Sequence, residues 1–355
     1  MKLGSSGVGR WLSGSGPDSD VVVSSRVRLA RNLAGVPFVQ RARRSEQERV
    51  VEAVRWALSA AGLDSSGRFI DDELLSETEG RYLVERHLVS PAFVSSKARR
   101  GLYVGGDECL SLMVNEEDHV RFQVLGSGLA LADALGAALS FDDKLESQVQ
   151  YAFSPEFGFL TACPTNVGTG LRASVLVHLP GLVLTREIEK VLRGALHIGL
   201  AVRGLYGEGS ETRGNFLQIS NQRSLGQTEE EIVDSVADIC RQIVDYERKA
   251  RAYLMKNLRV ELEDKVFRSF AILKGARILS SDEAINLIAT LRLGIALGIV
   301  NEIDLAGVSR LLILVQPANL QAMLGETLEA GERDERRAAF VRETLVGDGP
   351  RSEKR

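Results

Sequence analysis

The 355-residue sequence has no apolar run that approaches the roughly 18 residues of a membrane-spanning helix. Its densest apolar stretches, such as residues 311–315, are far shorter, and this excludes a protein that spans the membrane. The first sixteen residues are rich in glycine and serine and lack the apolar centre of a secretory signal. We therefore predict a cytoplasmic protein without membrane contact, in which residues 1–20 form a flexible arm.

Cysteine and histidine are also scarce. The three cysteines, Cys109, Cys163 and Cys240, show no CxxC spacing and no pairing with any of the four histidines. This excludes a disulfide framework and a zinc site, so we predict reduced thiols and no metal held by protein side chains alone. The common nucleotide-binding signals are missing too, because the sequence has no GxxxxGK[ST] loop, no GxGxxG after a strand and no HRD or DFG pair.

Negative charge slightly exceeds positive charge. A net charge of −4 gives no general attraction to nucleic acid, so no nucleic-acid partner is predicted. Arginine nevertheless far outnumbers lysine among the 44 basic residues. This bias either supplies planar, forked anion-binding groups or reflects a GC-rich coding sequence, and only arginines within particular motifs can therefore be interpreted.

The pattern of apolar residues divides the chain into two regions. Between residues 21 and 251, short strand-like runs alternate with amphipathic helical stretches, and a helix over 229–255 is a candidate hinge. Beyond it the pattern is all-helical. The individual predictions are strands at 21–23, 110–114 and 173–179, a helix at 45–61 that starts with a capping box of Ser45 and Glu48, helices at 284–300 and 332–345, and a frayed tail at 347–355.

Four segments combine residue types suited to phosphate and guanidinium chemistry. In an extended SSRVR segment Arg26 and Arg28 point the same way, as two guanidinium forks. A strand edge exposed to solvent could show the same pattern. Residues 115–121 place three acids before an arginine. This segment is either a functional motif or a simple polar turn. Residues 163–174 join a cysteine to a glycine-bearing turn, whose backbone amides are free to face an anion. Residues 203–211 join one arginine to Glu208 in a glycine-rich loop.

Together these segments resemble the ATP:guanido phosphotransferases, the family of creatine and arginine kinases, and among them the bacterial protein-arginine kinases. They read SSRVRLARN at 24–32, NEEDHVR at 115–121, CPTNVGTGLRASV at 163–175 and RGLYGEGSE at 203–211. The resemblance covers residues 21–251 and implies an α+β catalytic domain, with an antiparallel sheet flanked by helices and ATP and Mg²⁺ bound across it. It implies a smaller all-helical C-terminal domain, at residues 252–355, that binds phosphoarginine.

The resemblance also implies roles for individual residues. Glu117 and Glu208 would hold the acceptor guanidinium, with Glu208 as its base, while Cys163 is either a thiolate that orients this group or a small buried residue. His87 would contact the base or ribose of ATP, or else is structural. The other implied nucleotide-binding residues are Ser24, Ser25, Arg26, Val27, Arg28, Arg121, Arg172, Ala173, Ser174, Val175, Leu176, Arg203, Gly204, Leu205, Tyr206, Gly207 and Glu208.

Two departures from the metabolite kinases favour a protein substrate. Only 23 residues precede Ser24, where metabolite kinases have a helical domain, and a helical region follows Arg251. A third departure is Gln218, where metabolite kinases tend to have an acid. The resemblance implies client proteins with exposed arginines that are marked for a Clp protease in the stress response, and a small zinc-binding activator; it is compatible with a homodimer. The alternatives are a kinase of free arginine and a non-catalytic adaptor.

A further motif, RDERRA at residues 333–338, lies far from the kinase segments. On a helix Asp334, Arg337 and Ala338 share one face. By resemblance to the RDxxRA motif, Arg333, Asp334, Arg337 and Ala338 would form an allosteric phosphoarginine pocket, in which Asp334 holds the guanidinium, Arg337 holds the phosphoryl group and Ala338 leaves room. The alternative is a solvated helix with intrahelical ion pairs.

Overall fold

A computed structural model describes residues 8–71, 75–204 and 213–346. Its centre is a sheet of eight strands in the order β2-β3-β4-β5-β1-β8-β10-β9, in which every described pairing is antiparallel. The sheet strands are β1 (Val22–Arg31), β2 (Gly67–Asp71), β3 (Gly101–Gly105), β4 (Leu110–Val114), β5 (Val120–Ser127), β8 (Leu171–His178), β9 (Leu200–Gly204) and β10 (Phe216–Asn221); β6 (Phe153–Ser154) and β7 (Gly158–Phe159) form a separate pair.

Helices precede, connect and follow these strands, and no helix in the described ranges is long and apolar enough to cross a membrane. The helices are α1 (Arg44–Ala60), α2 (Glu77–Glu85), α3 (Pro91–Ser95), α4 (Leu131–Glu146), α5 (Pro180–Leu184), α6 (Ile188–His197), α7 (Glu229–Asn257), α8 (Arg259–Gly275), α9 (Ser281–Ala296), α10 (Leu305–Leu314), α11 (Pro317–Leu324) and α12 (Ala330–Val346). The predicted α+β architecture with a helical C-terminal region is therefore confirmed.

The alternation of side chains along the strands separates two faces of the sheet. One face is apolar and packs against α1, α4 and α7 in the largest core cluster, to which β1 contributes Val27 and Leu29 and β8 contributes Ala173 and Val175. The opposite face carries arginines, because residues two apart in a strand point to the same side. The strand pattern thus builds a hydrophobic core on one side and a cationic surface on the other.

The C-terminal helices share a second core with one end of the cationic face. Leu125 of β5 and Phe216 of β10 are buried in one cluster with Val266 of α8 and Ile285 and Ile288 of α9. Apolar burial of this kind is the main favourable contribution to folding. The helical region therefore packs directly on the central sheet and shares a core with it.

The N-terminal arm departs from the sequence prediction. Trp11 and Leu12 lie in a short 3₁₀ helix and are each only 2% exposed, within the same core as the C-terminal helices. Asp18 and Asp20 then bind Arg248 of α7 through hydrogen-bonded ion pairs. From residue 8 onward the arm is packed, so the expectation of a flexible arm is wrong for this part.

Some boundaries matched the sequence pattern and others did not. Strand β4 has the predicted bounds, and α7 begins at the predicted Glu229 because the hydroxyl of Thr228 accepts a hydrogen bond from Glu231 N at 3.2 Å. The predicted capping box at Ser45 is wrong, since α1 begins at Arg44 and the Glu46 carboxylate accepts from Arg43 N at 2.6 Å. The backbone N–H that is free at the start of the helix is therefore bonded to a different acid from the predicted one.

Candidate active site

A cavity of about 770 Å³ on the cationic face brings together residues from three of the sequence motifs. Glu117, Arg121, Cys163, Arg172 and Arg203 all line it, although as many as 86 positions separate them in the sequence. Strands β5, β8 and β9 supply the arginines, and the loops that precede β5 and β8 supply Glu117 and Cys163. The cavity therefore brings a carboxylate and a thiol together with a set of guanidinium groups.

The turn between β4 and β5 positions the first of these groups. Asn115 adopts a positive φ of 57°, and its side chain donates to Gln47 O and Arg99 O, which fixes the turn in a conformation that asparagine tolerates. The Glu116 carboxylate, which is 8% exposed, accepts from Arg121 at 2.6 Å. Sequence reasoning assigned no role to Glu116, yet it holds Arg121 in place, and its position five residues before that arginine was the available signal.

Glu117 is the acid of this turn that faces the cavity. Its side chain is 39% exposed and lies 3.8 Å from Arg121. Burial raises the pKa of Glu117, and Asp118 and Glu116 raise it further, although Arg121 opposes them. A carboxylate with a raised pKa is suited to exchanging or sharing protons with a cationic group. Glu117 is thus placed where a guanidinium could be held.

Asp118 supports the segment on the other side of the cavity. It is fully buried and accepts hydrogen bonds from Asn32 Nδ2 at 2.6 Å and from Ala162 N at 2.7 Å. Ala162 immediately precedes Cys163, whose sulfur lies 3.1 Å from Thr165 Oγ1. The turn before β5 therefore positions the cysteine through Asp118. Cys163 is itself partly exposed and lines the cavity, which disfavours its interpretation as a buried apolar residue.

The arginines form a cluster whose charges repel one another. Burial, together with the charges of Arg121, Arg172 and Arg203, lowers the pKa of Arg26 to about 10. The pKa of Arg28 is lowered well below its usual range by burial and by Arg26, Arg121 and Arg172. The buried Arg28 Nε has no hydrogen-bond partner among the described residues. A polyanion such as a triphosphate would satisfy this donor and relieve the repulsion.

A second, smaller cavity adjoins this cluster. It is lined by Arg26, His87, Ser174, Gln218 and the N-terminal Trp11, whose ring meets the His87 ring edge to face at 5.7 Å. Burial and the nearby charge of Arg26 together lower the pKa of His87 to about 4, so the imidazole is neutral near pH 7. The predicted residues Ser24 and Leu176 also line this cavity. Trp11 was missed, because the glycine- and serine-rich composition around it indicated a flexible arm.

Several predicted nucleotide-binding side chains point elsewhere. Val27, Ala173 and Val175 are fully buried in the core on the opposite face of the sheet, because strand residues alternate between faces. The hydroxyl of Ser25 donates to Gly128 O at 2.8 Å, and its side chain is also buried. These four side chains cannot contact a nucleotide on the arginine face, which corrects the prediction for them.

Most of the predicted residues that follow Arg203 lie outside the described residues. Gly204 ends β9 and is buried, whereas Leu205, Tyr206, Gly207 and Glu208 lie outside the described residues. Among the residues that are described, no group of three or more His, Cys, Asp or Glu side chains is arranged to hold a metal ion. The predicted role of Glu208 as the base stays a prediction.

The predicted phosphoarginine site lies on α12. Arg337 is 1% exposed and donates to Val315 O and Leu279 O at 2.7 Å each, and it also pairs with Asp334 on its own helix. Ala338 is fully buried. The intrahelical pair that was the alternative interpretation is therefore present, and the phosphoarginine pocket stays a prediction. Asp334 remains partly exposed.

Comparison with known proteins identifies the family. The ATP:guanido phosphotransferase C-terminal catalytic domain matches residues 49–250, and the protein-arginine kinase McsB C-terminal domain matches residues 259–354. The protein-arginine kinase of Symbiobacterium thermophilum is 46% identical over 339 residues, which cover 95% of this chain and 96% of that protein. The chain belongs to the protein-arginine kinases. This kinase is a phosphotransferase whose family uses ATP.

Solved structures of guanidino kinases share the fold. A lombricine kinase superposes with a TM-score of 0.60 at 25% identity, covering 68% of this kinase and 70% of that chain. The duplicated taurocyamine kinase of Schistosoma mansoni, solved with bound transition-state analogue components, also gives 0.60 at 25% identity. This match covers 66% of this kinase and 34% of that duplicated chain, so this kinase spans about a third of its length.

Cys163 in this kinase allows a direct test of the cavity. We expect Cys163→Ser to lower turnover about tenfold, equivalent to ~1.4 kcal/mol of activation free energy, because a hydroxyl cannot reproduce the larger and more polarizable sulfur at this position. Steady-state kinetics and thermal unfolding measure the two effects separately. The control is Cys109→Ser, a partly exposed thiol outside the cavity whose pKa burial raises to about 11. An unchanged rate with a lowered melting temperature would assign Cys163 a packing role.

Proposed function

We propose that this kinase transfers the γ-phosphoryl group of ATP to the guanidinium group of arginine side chains in proteins. The observation that carries the proposal is the cavity that Glu117 and Cys163 line together with Arg121, Arg172 and Arg203. Its carboxylate suits a cationic guanidinium, and its arginines suit a polyanionic triphosphate. The similarity to protein-arginine kinases along 95% of the chain supports the choice of acceptor.

Residues of the cavity act in this reaction together with Arg28 and the predicted base Glu208. ATP supplies the phosphoryl group, and the acceptor nitrogen bonds to the γ-phosphorus while the bond from that phosphorus to the oxygen of ADP breaks. Glu117 orients the guanidinium through charge-assisted hydrogen bonds, and Glu208 accepts the proton that leaves the nitrogen. Arg28, Arg121 and Arg203 neutralise the charge that spreads over the phosphoryl oxygens.

The rim of the cavity supports a large acceptor. Gln40, Ala92, Thr165 and Gln222 line it and are exposed, so the cavity opens to solvent. An arginine that projects from a protein surface could enter without the enclosure that a small metabolite needs. Free arginine would gain little from such an open site, because positioning a small reactant depends on contacts that surround it.

The finer features of the proposal extend beyond this cavity. We propose that Mg²⁺ enters with ATP and is held chiefly by the phosphates, since Gln218 is a neutral residue. We also propose a cytoplasmic location, client proteins marked for a Clp protease under stress, a small zinc-binding activator, and a homodimer. These proposals follow from the family resemblance.

The decisive experiment compares two acceptors. Purified kinase, ATP and Mg²⁺ are incubated with an intact arginine-containing protein or with free L-arginine, and acid-labile phosphoarginine is measured by mass spectrometry. We expect efficient transfer to the protein and little to the free amino acid. Equal or faster transfer to free arginine would instead establish a metabolite kinase, and no transfer to either would favour a non-catalytic adaptor.

A second prediction concerns phosphoarginine binding at α12. The partly exposed Asp334 would hold its guanidinium, and Arg333, which also donates to Leu328 O at 2.9 Å, lies beside it. We expect Asp334→Ala to weaken phosphoarginine binding by about tenfold or more in calorimetry, because a hydrogen bond to a charged group is lost. Glu335→Ala, an exposed acid on the same helix, is the control. Equal binding to both variants would contradict the site.

A further inference from the structure

One face of α9 contacts the turn that begins β10. Asp282, Asn286, Ala289 and Arg292 are spaced by four, three and three residues, so they form a single stripe along the helix. The turn comprises residues 213–216. A helix of the C-terminal region thus lies directly against a strand connection of the catalytic sheet.

The first two residues of the stripe hold the turn through polar contacts. Asp282 Oδ1 lies 2.6 Å from Arg213 Nη1, and Asn286 Oδ1 accepts a hydrogen bond from Gly214 N at 2.9 Å. Within the turn, Phe216 N donates to Arg213 O at 3.3 Å. Each of the first two turn residues is therefore bonded to α9.

Close packing adds to these bonds at Gly214. This residue has a positive φ of 62°, and a Cβ atom placed on it would lie only 2.8 Å from the Cβ of Ala289. Glycine is therefore required both by the backbone conformation and by the approach of the helix. The distance between α9 and the turn is fixed by this contact.

The other end of the stripe holds the neighbouring strand. The Arg292 side chain is 1% exposed, and its Nη1 atom lies 3.1 Å from Nδ1 of His178, the last residue of β8. Arg292 also donates a hydrogen bond to Ser19 O at 2.6 Å. The His178 ring in turn stacks on Phe216, with centroids 4.5 Å apart. The stripe thus contacts both β8 and the start of β10.

The start of β10 determines where Arg203 lies. Among the described strands β9 is at the edge of the sheet, and it pairs with β10 in a register that sets Arg203 opposite Gln218. Arg203 lines the candidate active-site cavity. Any displacement of the turn at Arg213 would be transmitted through β10 to this arginine, because the ladder hydrogen bonds fix the register of the two strands.

We propose that Asp282 and Asn286 are positioning residues for phosphoryl transfer, which act on Arg203 through the Arg213–Gly214 turn and strand β10. The C-terminal region thereby contributes to the geometry of the catalytic cavity. The proposal rests on the proposed role of Arg203 in stabilising the transferring phosphoryl group.

The test uses the full-length kinase with ATP and a protein acceptor. We expect Asn286→Ala to lower kcat about fivefold and to change KM for ATP by less than about twofold. This is the effect expected when one hydrogen bond is lost that stabilises the transition state. Asn286→Asp should restore the rate, because its carboxylate still accepts from Gly214 N. Asn257→Ala removes an exposed asparagine bonded to Tyr253 O at the end of α7 and is the matched control.

The ion pair is tested by exchanging its charges. Asp282→Arg or Arg213→Asp alone should slow turnover, and the double variant should recover it. Asp282→Ala removes the carboxylate without reversing its charge. Its matched control is Asp238→Ala, which breaks an exposed pair with Arg241. Melting temperatures should stay near the parent value, since exposed ion pairs contribute little to stability. Normal kcat in Asn286→Ala and Asp282→Ala would overturn the proposal, as would a loss of rate that Asn286→Asp does not restore.

An Arg203→Ala variant separates this inference from the proposed function. If Arg203→Ala retains the parent rate, the role of Arg203 in transfer fails and the positioning proposal fails with it. If Arg203→Ala is slow and the Asn286→Ala enzyme is normal, only the positioning proposal fails. If both are slow, adding Asn286→Ala to Arg203→Ala should cause almost no further loss, because the two residues act through one group. Independent, multiplicative losses would contradict the proposed route.

Discussion

Replacement of Glu208 by glutamine is expected to lower kcat by about 10²–10⁴-fold, the usual contribution of a general base, while ATP binding is retained. Glutamine keeps the shape of the side chain and removes the proton acceptor. The guanidinium would then have to lose its proton to water during the attack, which is unfavourable for a group whose pKa exceeds ~12. Single-turnover kinetics measure the chemical step, and calorimetry with ATP measures nucleotide binding.

The comparison with Glu117 separates the two carboxylates. Glu117→Gln should act mainly on the acceptor, raising its KM, because Glu117 is proposed to orient the guanidinium. Glu77→Gln is the control, since this acid is exposed on α2 and pairs only with Arg81 among the described contacts. A Glu208→Gln enzyme that works within about threefold of the parent rate would remove Glu208 from proton transfer.

The largest expected effect on stability is at Arg31. Its guanidinium is 1% exposed, contacts Asp142 at 2.6 Å, donates to Thr169 O at 2.8 Å and lies 3.5 Å from the centre of the Phe159 ring. Arg31→Met would leave Asp142 buried without its cationic partner. We expect the free energy of unfolding to fall by about 3–5 kcal/mol, as for other buried pairs from which one partner is removed.

Denaturant unfolding of three variants tests this explanation. Arg31→Met combined with Asp142→Leu should recover much of the loss, because an apolar pair leaves no unpaired buried charge. Arg81→Met, which breaks an exposed pair with Glu77, should cost less than about 1 kcal/mol. If Arg31→Met is as mild as Arg81→Met, the pair does not support the fold.

The sequence predicted those parts of the site that depend on local periodicity. Arg26 and Arg28 were expected to project from the same side of one strand, and both lie in a mutually repelling cluster. The same alternation explains the errors at Ala173 and Val175. These two positions were predicted together with Ser174 from a continuous motif, but a strand sends neighbouring residues to opposite faces.

Contacts between distant segments could not be predicted. The bond between Gly214 and Asn286 joins residues 72 positions apart, and nothing in either local pattern indicates the other. Trp11 was missed for a related reason, because its burial depends on the C-terminal helices and the composition around it indicates only flexibility. Local propensities predict elements, whereas packing between elements depends on the complete fold.

The packed N-terminal arm has a consequence for synthesis on the ribosome. Trp11 and Leu12 complete their packing only in a core that also contains Val308 and Leu311 of α10, nearly 300 residues later. Contacts between such distant residues close slowly and leave apolar surface exposed until the partner segment has emerged. The nascent kinase should therefore acquire its final structure late, after α10 has left the exit tunnel, and chains truncated before that helix should expose the arm to proteases and chaperones.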